Sequence, residues 1–323
     1  MQITVHHGRE GLRLLRAEWH RLGTGMTRKC FCHLYVWYEA CLDALESRPE
    51  DVYFFLYRTP DVTAVFPFRR SVRRSRGVEI RVLELPHHPH MNLTDFIVNP
   101  AHADSSMLRR IIEHLRTVPG FEWDEIYLPT VIANSAVSRM LQQNPPPRVT
   151  QVTRNRATFV DCDVTYEVAS SRLSGNFRRN LRRLARRATE TGTLEYRSCH
   201  TASELDQAFP QFLEVEAAGW KGDEGTAIGS EPNITRFYRH LMHGATPEAR
   251  CIINLMTLDG TCIAGQFCLL VDGVLYILKI GYRESHAQLA PGHLLMDQTI
   301  HRCCEDPDVR AVSFVLNAEW TRL

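Results

Sequence analysis

The chain has 323 residues, 44% hydrophobic and 23% charged, the composition of a globular protein long enough for about two domains. Its 38 Lys and Arg stand against 37 Asp and Glu, a net charge of +1, which argues against a surface built to coat nucleic acid. It has no apolar run long enough for a membrane span. Its start, MQITVHHGREGLRLLR, lacks the apolar stretch and cleavage site of a signal peptide, so a cytoplasmic location is expected.

Leu12, Leu15, Trp19 and Leu22 recur at three- and four-residue spacing and predict an amphipathic helix; a second is predicted over Tyr35 to Leu45. Strands follow at VYFFLYR from Val52, VTAVFPFRR from Val62 and EIRVLEL from Glu79. A helix over Met107–Leu115, a strand at EIYLP from Glu125 and a helix over Asn134–Leu141 complete the first half. NPPPR, Asn144 to Arg148, cannot continue a helix, and the domain boundary is placed there, giving domains over 1–150 and 151–323.

The second half opens with a strand near Thr158–Val160 and an arginine-rich helix. A strand at LEYRSC from Leu194 is followed by a helix over Ala202–Ala218, with Thr201 or Ser203 as its N-cap, and by another over Asn233–His243. CIINLMTL, CIAGQFCLLV and VLYILKIGY read as three strands joined by hairpin turns at Asp259-Gly260 and Asp272-Gly273. A loop, a helix over Gly292–Cys304 and a strand over Val309–Leu316 close the series. Antiparallel strands followed by a strand–loop–helix–strand unit make an α+β arrangement, and two halves of similar content point to a duplicated domain.

Three lysines (Lys29, Lys221, Lys279) leave 35 arginines among the basic residues, and seven of these lie between Arg172 and Arg187 with no acid among them. In SRLSGNFRRNLRRLARRATETG one face is an apolar stripe of Leu173, Phe177, Leu181, Leu184 and Ala188. Arg178, Arg182 and Arg186 form one i,i+4 row, and Arg179, Arg183 and Arg187 another. Like charges so spaced disfavour the free helix. Either the protein's own acids or an anionic ligand must offset them. The ten cysteines include no C-x-x-C pair, so inert buried thiols are expected rather than a zinc site or disulfides. His87, His88 and His90, with Asp95 nearby, lack a second ligand cluster, and no metal is expected there.

Two further stretches can carry chemistry. In VLYILKIGYRESHAQLAPGHLL, an apolar strand ends at Tyr282, and Pro291-Gly292 opens a helix whose first-turn N–H groups suit an anion. In EVEAAGWKGDEGTAIG, Gly219, Gly222, Gly225 and Gly229 make a glycine-rich loop carrying Trp220 and Lys221, an active-site loop or an ordinary exposed one.

These blocks resemble the GNAT-type acetyltransferase domain of CelD-like cellulose-biosynthesis proteins, relatives of the FemAB aminoacyltransferases. The match rests on the arginine helix from Ser174 to Gly192, on AAGWKGDEGTAIG from Ala217 and on LKIGYRESHAQLAPGHLL from Leu278, and it covers about Thr158 to Leu323. The first half is similar only in its strand pairs and the NLTDF segment. The resemblance implies an α+β protein of two GNAT-like domains in tandem, with mixed, mostly antiparallel sheets flanked by helices. It gives the N-terminal domain a degenerate, substrate or packing role. Because such relatives continue with another helix and strand, it also implies a C-terminal domain truncated at its end.

The resemblance further implies acetyl-CoA or another acyl-CoA as co-substrate and no metal. In the GNAT pattern Q/R-x-x-G-x-G/A, Gln288 takes the first position, while Pro291 and His293 depart from the small residues expected. Ile280, Tyr282, Gln288, Pro291, Gly292, His293 and Leu294 are the implied cofactor contacts. Glu216 is the candidate general base and Tyr282 the acid that protonates the leaving thiolate. Trp220, Lys221, Lys279, Arg178 and Arg182 are the candidate substrate contacts. The implied activity is acyl transfer to a small-molecule or saccharide amine in polysaccharide or envelope biosynthesis. An aminoacyl-tRNA-dependent FemAB-like transferase and a non-catalytic scaffold of a polysaccharide-synthesis complex are the alternatives.

Overall fold

The computed structural model describes residues 1–118, 121–133, 135–143, 157–219, 225, 227–244 and 249–315. The chain forms two compact units, Met1–Thr153 and Arg154–Leu323. The triple-proline segment, Trp220, Lys221 and the predicted end of the last strand at Leu316 lie outside the described residues.

The N-terminal unit is a five-stranded sheet in sequence order: β1 (Gln2–His7), β2 (Val52–Arg58), β3 (Thr63–Ser75), β4 (Val78–Glu84) and β5 (Glu125–Tyr127). The first four strands pair antiparallel, and β4 and β5 pair parallel. β1 is not predicted from the sequence, because QITVHH mixes polar residues into an exposed edge strand. The predicted first helix breaks at Leu15 into α1 (Gly8–Leu14) and α2 (Arg16–Gly25), and the second is α3 (Tyr35–Ala40) followed by one wide π turn over Cys41–Leu45. Phe55, Phe66, Phe68 and Phe96 pack against α4 (Ser105–Leu115) and α5 (Ala136–Gln143) through Met107, Ile111, Val137 and Met140. Burying an aromatic or aliphatic side chain of this size is worth about 1.5–3 kcal/mol.

The C-terminal unit is a six-stranded sheet in the order β6-β11-β10-β9-β8-β7. Its strands are β6 (Phe159–Asp161), β7 (Leu194–Cys199), β8 (Ala249–Leu258), β9 (Thr261–Val271), β10 (Val274–Tyr282) and β11 (Ala311–Ser313). The two hairpins turn on Asp259-Gly260 and Asp272-Gly273, all four residues at positive φ, as tight two-residue turns require. One face carries α6 (Tyr166–Ser171), α7 (Gly175–Thr191) and α10 (Pro291–Glu305). α8 (Ala202–Ala217) and α9 (Pro232–His243) set Phe209, Phe212 and Tyr238 around Phe267 of β9. Thr201 caps α8, its hydroxyl taking the Glu204 N–H while Glu204 takes the Thr201 N–H. Among the described residues no helix is long and apolar enough to cross a membrane.

Candidate active site at the C-terminal end of β10

β10 pairs with β9 along its length, with a bulge between Ile277 and Lys279. Its other neighbour, β11, pairs only with Val274, Leu275 and Tyr276. β11 itself ends at Ser313, and residues 316–323 beyond it are not among the described residues.

The register divides the candidate residues between two faces. Ile280 and Tyr282 lie opposite Gln266 and Ala264, on the side of α7 and α10. Lys279 and Gly281 lie opposite Phe267 and Gly265, on the side of α8. A Cβ at Gly281 would stand 2.6 Å from Glu216 Cα, so only glycine lets the end of α8 rest on this strand.

On the first face, α10 begins at Ala290, held at φ +47, and has no side-chain cap. Pro291 has no N–H to offer, while the His293 and Leu294 N–H groups return to the Ala290 carbonyl at 3.0 and 3.2 Å. The Gly292 N–H remains the outward donor of the first turn. A Cβ there would lie 3.7 Å from the Tyr282 ring and touch nothing closer, so the helix start faces open space. Tyr282 is exposed, as is Gln288, whereas Pro291 and Leu294 are buried. The His293 ring meets Phe177 of α7 edge-on at 5.6 Å, and burial pulls its pKa down. This bulky side chain is thus taken up by packing against α7.

On the second face, Glu216 is buried at the end of α8, and its Oε2 accepts the Ile228 N–H at 2.8 Å. Burial, and then the nearby Glu216 carboxylate, pushes the Tyr238 hydroxyl well above its ordinary pKa. Arg283, just past β10, donates to the Cys262 carbonyl at 2.7 Å and to Glu214 of α8 at 3.2 Å. These contacts hold Glu216 beside the strand end, with Lys279 half-buried on the same face. Trp220 and Lys221 follow shortly after Glu216 in the chain, outside the described residues.

The apolar stripe of α7 is buried as predicted, through Leu181, Leu184 and Ala188 against Met256, Ile263, Leu294 and Leu295. Most of its arginines meet no acid of the protein among the described residues. Of the six, Arg186 pairs with Glu190 at 3.5 Å across an exposed turn, and Arg183 donates to Asn180. Arg182 is exposed, and the buried Nε of Arg178 has no hydrogen-bond partner. Uncompensated guanidinium groups along a helix are suited to phosphate.

Sequence reading missed a buried amide network. Asn254 of β8 donates to Gln266 Oε1 of β9 at 3.2 Å, and Thr299 of α10 donates to the same oxygen at 2.8 Å. It clamps α10 to the sheet. Its signal was present, since Asn254 and Gln266 interrupt otherwise apolar strands. Tyr166 of α6 also donates to Asp297 of α10, at 2.6 Å.

Residues 175–320 match a family described as acetyltransferase (GNAT) domain. No curated protein matches the chain. Among solved structures, FemX superposes with a TM-score of 0.58 at 10% identity, covering 97% of this chain and 88% of its own. A conserved protein of unknown function from Bacteroides thetaiotaomicron gives 0.56 at 13% identity, covering 95% and 90%. The C-terminal domain of a protein named for lysylphosphatidylglycerol synthetase, from Agrobacterium fabrum, gives 0.53 at 11%, covering 93% and 79%. At these identities the likeness is one of fold. The chain has the α+β fold of two GNAT-like domains in tandem, and its second half carries the acetyltransferase-type domain.

Proposed function

We propose that the protein is an N-acyltransferase that moves an acetyl or other acyl group from acyl-CoA to an amine. The observation that carries this reading is the start of α10, which has no side-chain cap and faces open space at Gly292 beside the Tyr282 ring. The pyrophosphate of the carrier meets the Gly292 N–H at the positive end of α10, and its amide-bearing arm runs toward Tyr282. Ile280, Gln288, Pro291, His293 and Leu294 shape this cradle, Pro291 and Leu294 from beneath. β10 N–H groups polarise the thioester carbonyl and stabilise the oxyanion that forms on attack. Glu216 removes the proton from the attacking amine, directly or through water, and the exposed Tyr282 hydroxyl returns one to the departing thiolate. Lys279, with Trp220 and Lys221, contacts the acceptor. We place the reaction in the cytoplasm, with an amino sugar or related envelope precursor of the CelD-like setting as acceptor.

The run of arginines on α7 favours one second reading, a FemAB-like transferase whose donor is aminoacyl-tRNA, met by Arg178 and Arg182. Thermal unfolding of the full chain with acetyl-CoA, CoA and tRNA separates the two. A ligand at 100 times its Kd stabilises by about 2.7 kcal/mol. Stabilisation by both CoA species, with thiol release on adding amines, is expected. Stabilisation by tRNA alone selects the second reading, and none by any of the three leaves a non-catalytic scaffold.

A further inference from the structure

Tertiary structure gathers four groups in the N-terminal unit that lie far apart in sequence or were set aside there. Cys30, Cys32 and His33 form one tight turn, and all three are buried. The Cys30 and Cys32 sulfurs are 3.4 Å apart, and the possible ligand atoms of the three residues lie within 4.8 Å of one another. From 62 positions away, Asp95 meets His33 Nε2 at 3.0 Å. His33 Nδ1 accepts the Cys30 N–H at 3.0 Å, which makes Nε2 the protonated nitrogen and leaves the lone pair on the side of the cysteines. Asp95 is itself fixed, accepting the Phe96 and Val137 N–H groups at 2.9 and 3.1 Å.

We propose that Cys30 Sγ, Cys32 Sγ and His33 Nδ1 form a buried site for a thiophilic divalent cation of the zinc type. Asp95 orients the histidine through its other nitrogen. Two sulfurs and one imidazole are a donor set that zinc favours. A tetrahedral S–metal–S angle at a bond length of about 2.3 Å needs sulfurs about 3.8 Å apart. The observed 3.4 Å is short of that by a few tenths of an ångström, within reach of a χ1 adjustment. A carboxylate on the distal nitrogen of a metal-binding histidine is the usual second partner, and it is already in place. Binding replaces both S–H protons: M²⁺ and two thiols give a dithiolate complex and two H⁺, so uptake tightens as pH rises. The Cys30 N–H gives up Nδ1 to the metal and turns toward the new thiolates. Because Asp95 also holds the first turn of α5, the loaded site ties the Cys30–His33 turn to that helix.

Cadmium tests this with the full chain, stripped of metal and kept reduced with a phosphine. One equivalent of Cd²⁺ is expected to raise a thiolate-to-metal charge-transfer band in the ultraviolet. Cys30→Ser and Cys32→Ser should each remove most of it, and Asp95→Asn should weaken affinity by about 10- to 100-fold. Absence of the band, or its persistence in both serine variants, overturns the proposal, because the eight other cysteines would then be the ligands or none would bind. If the serine variants do not fold, X-ray absorption of the zinc-loaded wild type decides. Two sulfur neighbours with nitrogen support the site; four sulfurs, or oxygen neighbours alone, refute it.

Discussion

Each unit contains the same local succession: a strand, a helix and a second strand parallel to the first. In the N-terminal unit these are β4, α4 and β5; in the C-terminal unit, β10, α10 and β11. They differ in where the second strand pairs with the first. β5 pairs with Val82, Leu83 and Glu84, and the Leu85 N–H continues to the Tyr127 carbonyl, so the ladder closes at the exit of β4. β11 pairs with the entry of β10, at Val274, Leu275 and Tyr276. The helix starts differ likewise. Asp104 caps α4, accepting the Ser106 N–H at 3.1 Å, whereas α10 has no side-chain cap. The helix start of the N-terminal unit is satisfied by its own chain, and that of α10 is presented.

The largest expected effect of breaking the C-terminal unit is at Glu216. Glu216→Gln, nearly isosteric, should lower kcat/KM for acyl transfer by about 100- to 10,000-fold while leaving acyl-CoA binding intact. Unchanged kcat/KM would remove it as the base. Gly292→Asp places an acid at the open helix start, imitating the self-sufficiency of α4. The side chain has room, so folding should persist, while KM for acyl-CoA rises about 10- to 100-fold through lost attraction and added repulsion. An unaltered KM would mean that the carrier's phosphates bind elsewhere.

Gly281→Ala forces a Cβ against the backbone of Glu216 and should destabilise the protein by about 1–3 kcal/mol, read from denaturant unfolding. Asp104→Ala uncaps α4 and should cost about 1 kcal/mol, with no change in acyl-CoA affinity. A change in affinity would contradict the division of labour between the units. The smallest effect is shared. Hydrogen bonds from the Arg81 side chain and backbone hold Asp124 down at about 2; backbone N–H bonds from Thr201 and His200 do the same for Glu204. Both carboxylates are depressed below their unfolded values of 3.8 and 4.5, so their stabilisation is present above pH 4.5 and is lost as pH falls toward 2. Asp124→Asn and Glu204→Gln should each flatten the fall in Tm over that window.

Elements with strong periodicity were legible without the fold. The arginine helix, the β8–β9–β10 meander with its Asp-Gly turns and the start of α10 at Pro291 fall where the residues predict. β1 and α6 were not predicted, because short, partly exposed elements carry little hydrophobic pattern. The expectation that the arginines meet either acids of the fold or an anionic ligand needed coordinates. Among the described residues, Arg172 meets Asp161 and Arg186 meets Glu190.

Taken alone, the sequence determined the α+β class, the chemistry available at β10 and α10, and the charge asymmetry of 35 arginines against three lysines. Periodicity, turn residues and composition are local properties that need no knowledge of neighbours. Only the tertiary structure decided that β11 pairs with the entry of β10, that Gly281 admits Glu216 to the strand, and that Asp95 reaches His33. Register and long-range side-chain contact are set by how faces pack, and residues distant in the chain carry no mark of which others they will meet.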